Sequence, residues 1–200
     1  MTFPWLAFAC FAIAASITPG PNNVMVAASA ANHGVARTLP HMAGIAFGFS
    51  LMLTAAGFGL AAPLTAFPAL QAMLRWVGAL WLLVLAYKIA TASAPGAGRA
   101  GPPLGFTGGA LFQLINPKAW LLVLGVTTAW IAADQPVGPQ IMAVVLVFAA
   151  ATLPSSLVWA SLGAASGQLL RSPRRLRAFN VAMAVMLVAS MLPVVLGADR

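Results

Sequence analysis

Acidic side chains are almost missing from this chain. Of its 200 residues only two are Asp or Glu, against ten Lys and Arg, and the four charged types together make up 6%. Soluble domains carry roughly 25% charged residues, so an ordinary water-exposed globular surface is excluded. There is one cysteine, Cys10, in an apolar run with no Cys or His at ligand spacing. That rules out a disulfide within the chain and leaves no metal site to assign. The formal charge of +8 falls mainly at the ends of apolar runs, and no basic face interleaves with aromatics, so nucleic acid is not an expected partner. Paired carboxylates, a metal-ligand cluster and a Ser or Cys beside a sequence-visible base are all lacking. An enzyme is therefore not expected, and neither a catalytic residue nor a cofactor is assigned.

What the chain has in quantity is apolar length. Hydrophobic residues make up 62% and the mean hydropathy is +0.96. A hydrocarbon core of roughly 30 Å is crossed by about 20 apolar residues of helix. Six runs satisfy this, at about Pro4 to Ala31, Leu39 to Ala62, Leu70 to Ala92, Phe106 to Ala133, Gly138 to Ala165 and Leu176 to Leu196. In lipid every backbone group must be satisfied within the protein, so continuous spans of this length are helices rather than barrel strands. The first run has a small-residue stretch, "AIAAS", that imitates a cleavage site, but no Lys or Arg precedes it, so it is expected to stay as a helix of the mature protein.

Basic residues near span ends mark cytoplasmic loops. Arg37 marks the first connection, Lys88 and Arg99 the third, and Arg171, Arg174, Arg175 and Arg177 the fifth. The second and fourth offer only Arg75 and the uncharged-but-for-Asp134 stretch "AADQPVGPQ". With six spans both termini are then outside. The Gly, Ala and Pro-rich stretch "TASAPGAGRAGPP" divides one transmembrane domain, 1–200, into a first repeat at about 1–94, a linker at about 95–104 and a second repeat at about 105–200. Each half holds three spans and breaks its first with Asn beside Pro: "TPGPNN" is answered by "LINPKAW". Two three-helix halves in series cross the membrane in opposite senses. The expected fold is an all-α integral membrane protein of six transmembrane helices, two inverted repeats with helices one and four broken.

The breaks are where chemistry is expected. Proline lacks an N–H and pushes against the carbonyl four residues back, so Pro19 and Pro21 should release the carbonyls of Ala15 and Ile17, with Gly20 turning the chain. Asn22, Asn23 and Val24 then start a half-helix whose N–H groups and positive dipole end seat an anion. Pro117 should free the carbonyl of Gln113, and Asn116 can cap the half-helix that follows. Released carbonyls accept from an ammonium and half-helix N-termini accept a carboxylate, so facing breaks suit a small zwitterion such as an amino acid. Lys118 is the one charged residue deep within a span, costing about 2.5 to 3.5 kcal/mol on insertion scales. It is either a ligand for a carboxylate or a side chain snorkelling to the interface. In the fifth span Pro154, with Thr152, Ser155, Ser156 and Trp159 around it, suggests a kink with a polar lining; Ser50 and Thr54 in the second span make a weaker claim. The substrate-binding residues assigned on this basis are Pro19, Gly20, Pro21, Asn22, Asn23, Gln113, Asn116, Pro117, Lys118 and Ser155. His33 and His41 flank one end of the second span, where lone histidines are usually solvated and only sometimes carry protons. No Asp or Glu lies inside any span.

In order along the chain, "TPGPNN", "NHG" followed by an arginine, "VGALWLLVLAYKIAT", "LFQLINPKAW" and "LRSPRRLRAFNVAMAVMLVAS" resemble the LysE/RhtB family of amino acid exporters, most closely its cysteine/O-acetylserine exporter branch. The resemblance covers essentially the whole chain. It implies six helices in a bacterial inner membrane, export of small amino acids or close metabolites, and drive by the proton gradient. Its shared motif residues are Pro19, Gly20, Pro21 and Asn22 in the first break and Asn116, Pro117 and Lys118 in the second. The chain departs from it at "TLPSSLVW", where many relatives carry an acidic residue. The alternative reading is a passive channel or export helper, which would share the hydropathy and the breaks. Small residues such as Gly57, Gly59, Gly163 and Gly167 could pack helices within a protomer or in a homo-oligomer.

Overall fold

The computed structural model describes residues 4–61, 66–91, 103–132, 134–169 and 172–190. Arg99, Arg171, Asp199 and the linker up to residue 102 lie outside the described residues, as does the side chain of Arg75. Eight helices and no strand are present among the described residues: α1 Trp5–Ile17, α2 Pro21–His33, α3 Val35–Gly57, α4 Pro68–Ala90, α5 Phe106–Ile115, α6 Pro117–Trp130, α7 Val137–Leu169 and α8 Pro173–Ala189. Four of them begin on proline, at Pro21, Pro68, Pro117 and Pro173. The missing N–H costs nothing at that position and the fixed φ is already helical. Gly34, with φ of 83°, joins α2 directly to α3, a left-handed backbone that a side chain would disfavour.

α3, α7 and α4 from Ala72 onward are each long and apolar enough to cross a bilayer, and α5 with α6 makes a fourth span, bent by 69°, if the pair is counted as one. α1 and the Arg177–Ala189 part of α8 are shorter apolar helices. The expected break in helix four falls at Asn116, and that in helix one at Thr18 to Gly20. The fifth span is one helix with Pro154 inside it. Leu6, Leu60, Leu80, Leu111, Leu146 and Val185 point outward and are mostly exposed, an apolar exterior that suits lipid and not water.

The broken pairs exchange partners. α1 and α2 pack along α7, α5 and α6 pack along α3, and α4 pairs with α8. α3 and α5 run in the same direction with backbones in contact: a Cβ on Gly44 would lie 2.0 Å from the Phe106 carbonyl oxygen and one on Gly48 2.5 Å from that of Ala110. Small residues permit this closeness, which is the usual way membrane helices gain packing without a hydrophobic drive. Gly163 of α7 meets Ala27 of α2 in the same manner, and Gly57 of α3 meets Ile141 near the start of α7. Those two glycines therefore pack helices within the chain. Gly59 lies in the turn after α3 with φ of 84°. α7 runs against α3 and, in its second half, alongside α2, while α4 runs against α5, with Gly78 beside Ile115 and Leu82 and Ala86 packed near Phe112. One end of the bundle consequently gathers Arg37, Lys88, Arg174, Arg175 and Arg177, all exposed.

Candidate functional site

The two breaks meet. Asn22, the second residue of α2, exchanges a reciprocal pair of 3.0 Å amide bonds with Gln113 of α5, and Asn116 donates to Asn22 Oδ1 at 3.3 Å. Gln113 and Asn116 are buried, where an unpaired amide would cost about 1 to 3 kcal/mol. These three side chains join α2, α5 and α6 at one point.

The first break opens three carbonyls. α1 ends at Ile17 with the Thr18 N–H on Ala14 O, so the last carbonyls of the helix have no backbone donor ahead of them. Ser16 O accepts from Asn23 Nδ2 at 2.7 Å and from Ser155 Oγ at 2.8 Å. Ile17 O accepts from Trp159 Nε1 at 3.1 Å. Thr18 O accepts from Asn23 Nδ2 at 2.9 Å and from Lys118 Nζ at 3.0 Å. Counting back from the prolines singled out Ala15 and Ile17; the side-chain bonds fall on Ser16, Ile17 and Thr18 because the helix stops one turn short of Pro21.

The second break looks after itself. Asn116, with extended φ and ψ of −82° and 106°, caps α6 by accepting from the Lys118 N–H at 3.1 Å. Its own N–H bonds to Gln113 O, so the carbonyl expected to be free at Gln113 is occupied. Trp120 Nε1 takes Leu114 O at 2.8 Å.

Lys118 is half-buried and reaches across to the first break, folded onto a carbonyl rather than snorkelling away. Gly20 makes room for it: a Cβ there would stand 2.9 Å from both Lys118 Cδ and Nζ. No acidic residue lies on any of the eight helices, so the ammonium has no carboxylate partner among the described residues. A cation taken this far from water without a counter-charge is poorly compensated by one carbonyl.

Between the breaks lies a cavity of about 50 Å³, enough for a few waters and well below the roughly 300 Å³ or more of sites for drug-sized ligands. Of the assigned residues Gly20, Pro21, Asn22, Asn23, Asn116 and Lys118 line it. Gln113 and Ser155 are buried behind it and bond to its lining residues Asn22 and Ser16, whereas Pro117 is buried toward Gly78 of α4 and Pro19 is exposed. Ser16, Thr152, Ser156, Ile45, Phe49 and Phe148 line it as well. The polar ones sit next to residues already singled out; the apolar ones carry no signal of their own. Phe49 and Phe148 belong to an aromatic cluster with Phe8 and Trp130, centroids 4.9 to 5.7 Å apart, on the side of the cavity away from the basic end. Ser50 accepts, through its carbonyl, a bond from Thr54 Oγ1, and neither residue lines the cavity.

Residues 13–199 match the family model for the LysE type translocator. The chain belongs to the LysE family. It is 31% identical over 189 residues to the cysteine/O-acetylserine efflux protein of Escherichia coli (strain K12), covering 91% of this chain and 92% of that relative. The protein of the same name from Salmonella typhimurium (strain LT2) is 34% identical over 122 residues, 60% of this chain and 61% of the relative. No solved structure matches this LysE-family chain. Members of the family are membrane transporters, not enzymes, and the match runs across both breaks.

Proposed function

We propose that the protein exports small amino acids or closely related metabolites across the bacterial inner membrane, by alternating access at the cavity between the two breaks and driven by the proton gradient. The observation that carries this is the Lys118 ammonium on the Thr18 carbonyl. The site already holds an ammonium against the first break and keeps that cation without a carboxylate. A zwitterion supplies both missing pieces: its own ammonium for the carbonyls of Ser16 to Thr18, and a carboxylate for Lys118 and the α2 N-terminus. Asn22, Asn23 and Asn116 bond the remaining polar groups. The cysteine/O-acetylserine efflux proteins point to a small polar side chain, as does a cavity that must widen even for a small ligand.

The exchanged packing, α1 and α2 on α7 against α5 and α6 on α3, supports two inverted three-helix repeats in six spans, with α1–α2 and α5–α6 as the broken first helix of each. The basic end is then cytoplasmic, and both termini face out. Proteoliposomes preloaded with labelled cysteine, O-acetylserine, threonine, leucine or lysine test the reading, with and without an imposed pH gradient. Gradient-dependent efflux confined to one or two small neutral amino acids is expected. Equal flux of all, indifferent to the gradient, would replace the carrier by the channel or helper.

A further inference from the structure

His41 has a place in the bundle that the site does not use. It is fully buried, at 0% exposure, and both ring nitrogens lack a hydrogen-bond partner. The ring faces α5, where a Cβ on Gly109 would come within 2.9 Å of His41 Cδ2. It stands one turn before Ile45 and two before Phe49 on the same face of α3, and both of those line the cavity. One turn in the other direction is Arg37, exposed at the basic end. His41 thus sits in the seal between the cavity and that end, beside Thr38, which bonds to Ser29 of α2 at 3.0 Å.

Among the described residues of the helices packed around it, no other ionisable group shares this seal. α5 and α7 carry none at all; α2 offers only His33, α3 only Arg37 and α6 only Lys118. His33 is half-buried at the mouth, where partial burial and then the Arg37 charge hold its pKa below the usual imidazole value. Lys118 is committed to the Thr18 carbonyl of the first break. A buried polar ring with neither nitrogen satisfied is uncommon in native structures and calls for a reason.

Resting on the exporter reading above, we propose that His41 is the site that takes up and releases the coupling proton. A neutral ring can stay in the dry seal at the cost of its unmade hydrogen bonds. An imidazolium has two N–H donors and a full charge, and only water or new acceptors satisfy it. Binding a proton at the free ring nitrogen therefore favours a shift of α3 against α5 that brings the ring to water and opens the cavity to the basic, cytoplasmic end. There the proton passes to water, substrate enters, and the seal recloses over the neutral ring. Substrate leaves on the outward half of the cycle and the proton enters on the return, which is antiport.

The test uses the full chain in liposomes, with O-acetylserine and cysteine as substrates. Two readouts are taken together: exchange of labelled against unlabelled substrate, and proton movement reported by an internal pH dye. For His41→Gln, exchange within about twofold of wild type is expected, with substrate-driven proton movement reduced at least tenfold. His41→Leu should behave alike, because a residue with unpartnered nitrogens loses no hydrogen bond. Wild-type proton movement by both variants would overturn the proposal. So would loss of exchange in both, which would put His41 in substrate passage instead. Exchange by wild type with no proton movement would instead overturn the proton-driven part of the exporter reading, and absence of exchange by wild type would overturn its substrate.

Discussion

The two breaks answer the same problem in opposite ways. At Asn116 the freed backbone groups are met from within a few residues: a cap on the Lys118 N–H, a backbone bond to Gln113 O and an indole on Leu114 O. At Thr18 to Gly20 the carbonyls of Ser16, Ile17 and Thr18 are held by Asn23 and by side chains from far along the chain, Lys118, Ser155 and Trp159. A break closed by local bonds keeps its shape whatever its neighbours do. One closed by distant side chains holds only while those helices stay put, and each bond can be handed to another donor. The first break is suited to receive a ligand and the second to serve as its fixed reference.

Substitutions sharpen this contrast, and the largest effect is expected at Lys118. K118A or K118M, inserted normally, should abolish export, and a radiolabelled efflux assay with a membrane-fraction control decides it; export at the wild-type rate would remove the lysine from the mechanism. G20A comes next. Its methyl displaces Lys118 from Thr18 O, and hydrogen bonds to charged groups are worth about 1.5 to 3 kcal/mol, so transport efficiency should fall by roughly 10- to 100-fold, short of the complete loss expected for K118A. N22A leaves the buried Gln113 Oε1 without its donor, while Nε2 keeps Gly109 O, and should lower stability by about 1 to 3 kcal/mol, read from thermal unfolding in detergent. N116A should cost about 0.5 to 2 kcal/mol in stability through the lost cap and also weaken transport, because the same amide lines the cavity. W159F is the mildest, about 0.5 to 1.5 kcal/mol. Its wild-type counterpart should report ligand binding by a change in indole emission that W120F retains and W159F loses. A signal that follows Trp120 instead would reverse the assignment of moving and fixed breaks.

The location of both breaks was legible because Pro, Gly and Asn act on the chain next to them. Lys118 was legible because a charge in an apolar run has no ordinary reason to be there. Which carbonyls end up offered was not, since that depends on where α1 stops rather than on counting back from a proline. Ser155 and Trp159 could be suspected, but their bonds to Ser16 and Ile17 span 139 and 142 residues, and no local rule reaches that far. Ile45, Phe49 and Phe148 were unreadable for a different cause: in lipid both faces of a helix are apolar, so the periodicity that reveals a core in water is absent. The same loss of contrast hid His41, placed by its sequence neighbourhood at a solvated end and found inside.

The glycine seam between α3 and α5 has a mechanical side. At Gly44 and Gly48 backbone lies on backbone, and Gly109 faces the His41 carbonyl and the edge of its ring. Helices meshed by bulky knobs must lift apart to move, because each knob is trapped by its hole. Smooth rods touching along glycine can glide or swivel while remaining in contact. A single methyl placed on that track turns the bearing into a ratchet tooth, jamming the joint without touching the cavity.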